Sequence, residues 1–251
     1  MPETEPRFAK VPQVTLLFWG LKIIATTLGE TAGDAVSMSM DLGYLAGTAI
    51  FAGIFLLTVA FQIRARRFHP ALYWATIVAT TTVGTTLADY ATRSLGIGYA
   101  GGSALLLLLL AAALLTWQLT LGSIAIGTVD RPRVEMFYWT TIMFSQTLGT
   151  ALGDWTVEAT AHGYLGAAVI FGGLLALVAA AYFGQKNFRP ALFWAAFILT
   201  RPLGAVLGDF LDKPIDAGGL NLSRFAASAV LGGIMVACIL VFPQRAAERA
   251  H

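Results

Sequence analysis

WGLKIIATTLGETAGD, residues 19–34, runs through the first strongly apolar part of the chain, yet it holds Lys22, Glu30 and Asp34. The stretch decides the fold because it recurs. Tryptophans stand at Trp19, Trp74, Trp139 and Trp194. Ten residues after each comes a glycine (Gly29, Gly84, Gly149, Gly204), and fifteen after each an aspartate (Asp34, Asp89, Asp154, Asp209). Twenty-four after each comes a second glycine (Gly43, Gly98, Gly163, Gly218). Self-similarity at a fixed offset marks repeated structural units. RFHPALYW and NFRPALFW also match at an offset of 120 residues, as do DLGYLAGTAIFAG and AHGYLGAAVIFGG, so two halves of two repeats arose by successive duplication. The ten extra residues of repeat two are placed in its second helix.

Composition sets the medium. Of 251 residues 57% are hydrophobic and 12% charged, half the charge of an ordinary soluble domain, and mean hydropathy is +0.72. Uncharged runs of spanning length recur at 43–63, 70–88, 136–153 and 163–184. The run 94–129 exceeds one span, so its helix is expected to tilt or project. The first ten residues are polar and suggest no cleavable leader. The expected fold is an all-α integral membrane protein of eight transmembrane helices, built as four two-helix repeats with pseudo-symmetry about the membrane normal. The helices are placed at 13–36, 43–64, 70–92, 98–128, 134–157, 163–184, 190–211 and 219–242. Residues 1–12 and 243–251 are read as tails, 13–133 as the first membrane half and 134–242 as the second.

Basic residues gather in RARRFH (64–69), DRPR (130–133), QKNFR (185–189) and near the termini (Arg7, Lys10, Arg245, Arg249). The opposite loops carry Asp41, Arg93, Glu158, His162, Asp212, Lys213 and Asp216. The positive-inside rule therefore places both termini in the cytoplasm, in a bacterial inner membrane, with the tryptophans as anchors at the inner interface.

Stepping back by four from each aspartate traces a stripe on one helix face. The stripes read Lys22, Thr26, Glu30, Asp34; Thr81, Thr85, Asp89; Gln146, Thr150, Asp154; and Arg201, Ala205, Asp209. An ionisable group facing lipid at mid-helix costs about 2.5–3.5 kcal/mol, so the four stripes are expected to face one another. The odd-numbered helices would line a polar core. The even-numbered ones would form the wall, packed through Gly47, Gly53, Gly101, Gly102, Gly166, Gly172, Gly232 and Gly233. Within the stripes Lys22 and Arg201 oppose Glu30, Asp34, Asp89, Asp154 and Asp209, an acidic excess of three that calls for protonation or a bound cation. Only repeats one and four carry a cation in the stripe, so Asp34 and Asp209 are expected to be paired and Asp89 and Asp154 are not. Lys22 is expected to balance Glu30 and Asp34, and Arg224 to be outward-facing or snorkelling. A carboxylate at a helix C-terminus opposes the dipole, which would be relieved by a helix break near the glycine.

The expected function is a secondary transporter or channel-like permeation protein for a small cation, either a metal ion or a proton-coupled solute. The ligand set is Glu30, Asp34, Asp89, Asp154, Asp209, Thr26, Thr81, Thr85, Gln146 and Thr150, with Lys22 and Arg201 as counter-charges. Glu30, Asp34 and Asp154 are the metal candidates. These oxygens suit hard divalent cations, as substrate rather than cofactor. The alternatives are a membrane-embedded enzyme or binding protein with a small polar or lipid-derived ligand, and a scaffold whose core is hydrogen-bond glue. Catalytic chemistry has little support: His69 and His162 fall in loops, His251 is terminal and Cys238 stands alone. Nucleic acid is not expected as a partner; the bilayer, a small cation or polar solute, and a second copy of the chain are.

The repeated T-x-G-x-x-x-x-D pattern, GETAGD in its first copy, resembles a family of bacterial membrane proteins made of a short repeat of unknown function. The resemblance spans the chain and implies architecture, not activity. A weaker similarity is to calcium/manganese exchangers with a Glu-x-Gly-Asp-Lys/Arg motif. Here Glu30 and Asp34 are four apart, no basic residue follows, and one copy alone has the glutamate.

Overall fold

A computed structural model describes residues 9–184 and 188–247, apart from the side chain at 183. Arg7, residues 185–187 (with Lys186), Arg249 and His251 lie outside the described residues. Among the described residues the fold is all-helical, with eight α helices. They are α1 (Leu16–Asp34), α2 (Gly43–Arg64), α3 (Pro70–Asp89), α4 (Tyr99–Leu121), α5 (Pro132–Ala159), α6 (Gly163–Gly184), α7 (Arg189–Asp212) and α8 (Arg224–Val241). Of these α2, α4, α6, α7 and α8 are long and apolar enough to cross a membrane.

Local sequence explains the ends. Thr15 caps α1 by accepting from the Phe18 amide at 3.3 Å. Proline in the first turn starts α3, α5 and α7, where its missing N–H is not needed. Gly122, at φ +77°, adopts the left-handed conformation that stops α4. The expected helix over 98–128 is therefore corrected. The extra residues of repeat two form a loop and a 3₁₀ turn, Ile126–Thr128, and not a longer helix. No helix break falls at Gly29, Gly84, Gly149 or Gly204. α5 and α7 continue past their aspartates, while α1 and α3 pass into π-helical turns at Ala35–Ser39 and Tyr90–Ser94.

The odd helices close a ring, α1 on α3, α3 on α5, α5 on α7 and α7 on α1. The even helices lie outside it with most of their apolar side chains exposed. Each packs on the odd helix of the following repeat: α2 on α3, α4 on α5, α6 on α7 and α8 on α1. The repeats are thus interlocked.

The glycine ten residues after each tryptophan sets the ring spacing. It receives the residue seven after the tryptophan of the next repeat. A β-carbon on Gly29 would overlap Thr81 Oγ1, one on Gly84 would lie 3.0 Å from the Gln146 backbone, one on Gly149 would overlap Arg201 Cγ, and one on Gly204 would overlap Thr26 Oγ1. The same contact made four times in rotation is the pseudo-four-fold relation in atomic form. The glycines expected to pack the outer helices do less. Gly53, Gly172 and Gly233 meet nothing within 4 Å of a β-carbon, while one on Gly166 would lie 2.8 Å from His162, one on Gly102 3.0 Å from Thr92 and one on Gly47 3.3 Å from Thr86.

Three of the four tryptophans are not surface anchors; Trp19 is half-buried. Trp74, Trp139 and Trp194 are buried, and with Tyr73, Tyr138, Trp117, Phe193 and Phe197 they form an aromatic plug across one end of the ring. The cause is position: they begin the inner helices, so their rings turn into the bundle. Trp74 Nε1 donates to Gln244 Oε1 at 2.7 Å, Trp194 Nε1 to Ile124 O at 3.0 Å, and the Tyr73 and Tyr138 hydroxyls meet at 2.6 Å. Both described chain ends pack under this plug. Lys10 N donates to Val129 O, Ala247 N to Val11 O, and Lys10 Nζ meets Glu135 at 2.6 Å.

Candidate functional site: a layered polar axis

Above the plug, side chains from the four inner helices meet in layers one helical turn apart. The first holds Lys22, Ile77, Ile142 and Phe197, the second Thr26, Thr81, Gln146 and Arg201. The third holds Glu30, Thr85, Thr150 and Ala205, and the fourth Asp34, Asp89, Asp154 and Asp209. All of them are buried, Asp154 the most exposed at 7%.

Arg201 organises the middle. Its Nη2 reaches Glu30 Oε2 at 2.9 Å, Thr85 Oγ1 at 2.6 Å and Thr150 Oγ1 at 2.5 Å, and Thr85 donates to the same carboxylate oxygen at 3.1 Å. Gly149 makes room for the arginine stem. Lys22, expected to balance Glu30 and Asp34, does not pair with either. Its Nζ lies 3.4 Å from Gln146 Oε1 and 4.1 Å from the centre of the Phe197 ring. Glu30 is two turns further along the helix, and Arg201 has reached it first. Thr26 and Thr81 spend their hydroxyls on backbone, Thr26 on the Lys22, Ile23 and Thr200 carbonyls and Thr81 on those of Ala25 and Val78. They are knobs in the neighbouring glycine hollows before they are ligands.

The aspartate rim is bridged in pairs. Arg93 joins Asp89 to Asp154, at 3.0 Å each. Lys213 joins Asp209, at 2.9 Å, to Asp34, and Asp212 lies 3.8 Å away. The expected inequality between Asp34 and Asp209 on one side and Asp89 and Asp154 on the other is therefore not found. Both pairs have a cation, supplied one turn beyond the aspartate in repeats two and four. Arg93 and Lys213 are 120 residues apart, so the rim is two-fold where the backbone is four-fold. They also answer the dipole penalty that a helix break was expected to relieve. Arg224 turns toward the rim. Its Nε lies 3.3 Å from Asp212 and 3.8 Å from Asp34. Burial disfavours the Lys213 ammonium, but the Asp209, Asp34 and Asp212 carboxylates outweigh it and raise its pKa above the usual lysine value.

These residues change the charge balance. Lys22, Arg93, Arg201, Lys213 and Arg224 now face Glu30, Asp34, Asp89, Asp154, Asp209 and Asp212. The acidic excess is one, not three, so a resident cation is not demanded. Glu30, Asp34 and Asp154 are not brought together as a metal set. The group whose carboxylate oxygens lie within 4.8 Å of one another is Asp34, Asp209 and Asp212. Two recesses of about 460 and 300 Å³ lie near the plug end, and none of the residues lining them belongs to a polar layer.

A ring of interlocked helix pairs around a buried ionic axis, with apolar helices outside, defines a repeat protein of membrane-compatible composition. The chain belongs to the family described as Repeat of Unknown Function (DUF347), whose model matches residues 17–68, 72–122, 137–187 and 192–245, one helix pair in each. No curated protein and no solved structure matches the chain.

Proposed function

We propose that this protein is a multi-pass membrane transporter that couples a small solute to protons along the axis between its inner helices. All eight helices span the bilayer in this reading, with the plug and both termini on the cytoplasmic side. One observation supports it above the others: an unbroken stack of buried ionisable side chains from Lys22 to the aspartate rim. Buried ion pairs can often be replaced by apolar residues of similar volume with no loss of stability, or even a gain. A column of them in a bundle that could close on apolar layers is an expensive way to build a scaffold. Protonation of Glu30 would release Arg201 from its carboxylate while leaving the Thr85 and Thr150 oxygens in reach, which gives the axis two states.

Purified protein in proteoliposomes carrying an internal pH dye should show solute-dependent proton movement. Glu30→Gln should fold and lose the pH dependence of that flux; an unchanged, pH-dependent flux removes Glu30 from the pathway. A second reading, transport of a bare divalent cation, is favoured by the Asp34, Asp209 and Asp212 group. Lys213 and Arg224 would have to leave that group for the ion to enter. Metal flux independent of the pH gradient, lost in Asp212→Asn and kept in Glu30→Gln, would favour it.

Topology is tested in a Cys238→Ser background. Arg67→Cys should react with an impermeant thiol reagent from the cytoplasmic side alone, and Asp41→Cys or Thr160→Cys from the outside alone. Labelling of all three from one side would end the eight-span arrangement.

A further inference from the structure

The two inner layers of the axis have donors without acceptors. Arg201 Nε and Nη1 and Gln146 Nε2 are buried and have no hydrogen-bond partner. Lys22, fully buried, has Gln146 Oε1 at 3.4 Å and the Phe197 face, with no carboxylate within 4.0 Å among the described residues. These groups lie in two successive layers of the axis. Phe197 lies one turn before Arg201 on the same face of α7. Gln146 occupies the layer of Arg201 on the adjoining helix and touches Lys22. A buried polar group left unpaired costs about 1–3 kcal/mol, more when it is charged. In these layers and the Glu30 layer above, Lys22 and Arg201 face the single carboxylate of Glu30, an excess of one positive charge. The rim, with Arg93, Lys213 and Arg224 against five aspartates, has an acidic excess of two.

We infer that Lys22, Gln146 and Arg201 form a binding site for a small monovalent inorganic anion, of halide or nitrate size. The ligand chemistry follows from the donors: two basic side chains and an amide, with three buried N–H positions lacking an acceptor and one formal positive charge in excess. The size is argued from the neighbours: Ile77, Ile142 and Phe197 are fully buried in the same layer, so a large ligand would have to displace them. The inference deepens the transport reading by assigning the solute class, and rests on that reading for the solute's movement but not for its binding. An anion seated against Lys22 and Arg201 would weaken the hold of Arg201 on Glu30 and favour uptake of a proton there, so anion and proton would move together.

Binding is measured first, without a membrane gradient. Detergent-purified protein in gluconate buffer is titrated calorimetrically with sodium chloride, bromide and nitrate, then with the potassium salts. A saturable heat, the same with either cation, is expected. Lys22→Met, which removes a buried charge and should fold, is expected to bind about tenfold more weakly or worse. Gln146→Glu places a carboxylate beside Lys22 and should abolish binding while raising the melting temperature in gluconate. No saturable heat with any anion, or wild-type binding in both variants, overturns the site. Vesicle flux of the tightest-binding anion is then followed with the pH dye. Anion binding without anion-dependent proton movement keeps the site and rejects the transport reading.

Discussion

Arg201→Met should destabilise the protein by about 3–5 kcal/mol, because it leaves the Glu30 carboxylate buried without its cation. For a chain of this size that corresponds to a melting temperature lower by roughly 10 °C. Glu30→Gln should cost much less, since Arg201 keeps the Thr85 and Thr150 hydroxyls. Adding Glu30→Leu to Arg201→Met should recover part of the loss, because the double variant buries no charge at that level. Thermal unfolding in detergent of the three variants measures this. An Arg201→Met protein as stable as wild type would mean that the ion pair does not hold the bundle.

The next largest effect is expected at the ring glycines. Alanine has a helix propensity better than glycine by about 0.8–1 kcal/mol, so Gly→Ala in an exposed helix should be neutral or stabilising, as at Gly53 or Gly233. At Gly29, Gly149 and Gly204 the new methyl would overlap a β-branched threonine or the stem of Arg201, and at Gly84 it would press on Gln146 backbone. Overpacking costs about 1–3 kcal/mol in a well-packed site, occasionally more. Gly149→Ala should cost most, because Arg201 cannot withdraw without leaving Glu30. Folded yield and melting temperature of the four ring variants, against Gly53→Ala, decide it. Equal behaviour of ring and outer glycines would remove the close approach as the basis of the ring.

The backbone plan was legible because it is written four times. Trp, Gly, Asp and Gly at fixed offsets identified the units, and the four-residue steps back from Asp34, Asp89, Asp154 and Asp209 identified the inward face. The pairing across that face was not legible. Lys22 and Glu30 share one helix and invite pairing, but Glu30 meets Arg201, whose distance along the chain says nothing of their contact. Arg93 and Lys213 follow their aspartates by four residues in two copies only, so they are not among the features common to four copies and by sequence read as loop residues. Arg224 resembled an ordinary flanking cation for the same reason. The tryptophans misled because an aromatic at the start of an apolar helix suits an interface and an interior equally; which way the ring turns depends on which helices are inner. The fate of repeat two's extra residues turned on Gly122, whose positive φ ends α4 where an uncharged run alone reads as more helix.

The Glu30–Arg201 contact joins residues 171 positions apart in the chain, and that separation governs how the chain can be made. At ribosomal rates of ~5–20 residues per second, Arg201 emerges roughly 10–30 s after Glu30. α1 is not among the helices apolar enough to cross by composition. On the eight-span arrangement it must enter the bilayer first, with Lys22, Glu30 and Asp34 uncovered. Biogenesis therefore has a waiting period. The nascent helix must be held at the insertion machinery, or lie at the membrane surface, until α7 arrives to close the circle. The last inner helix is the one that lets the first one stay.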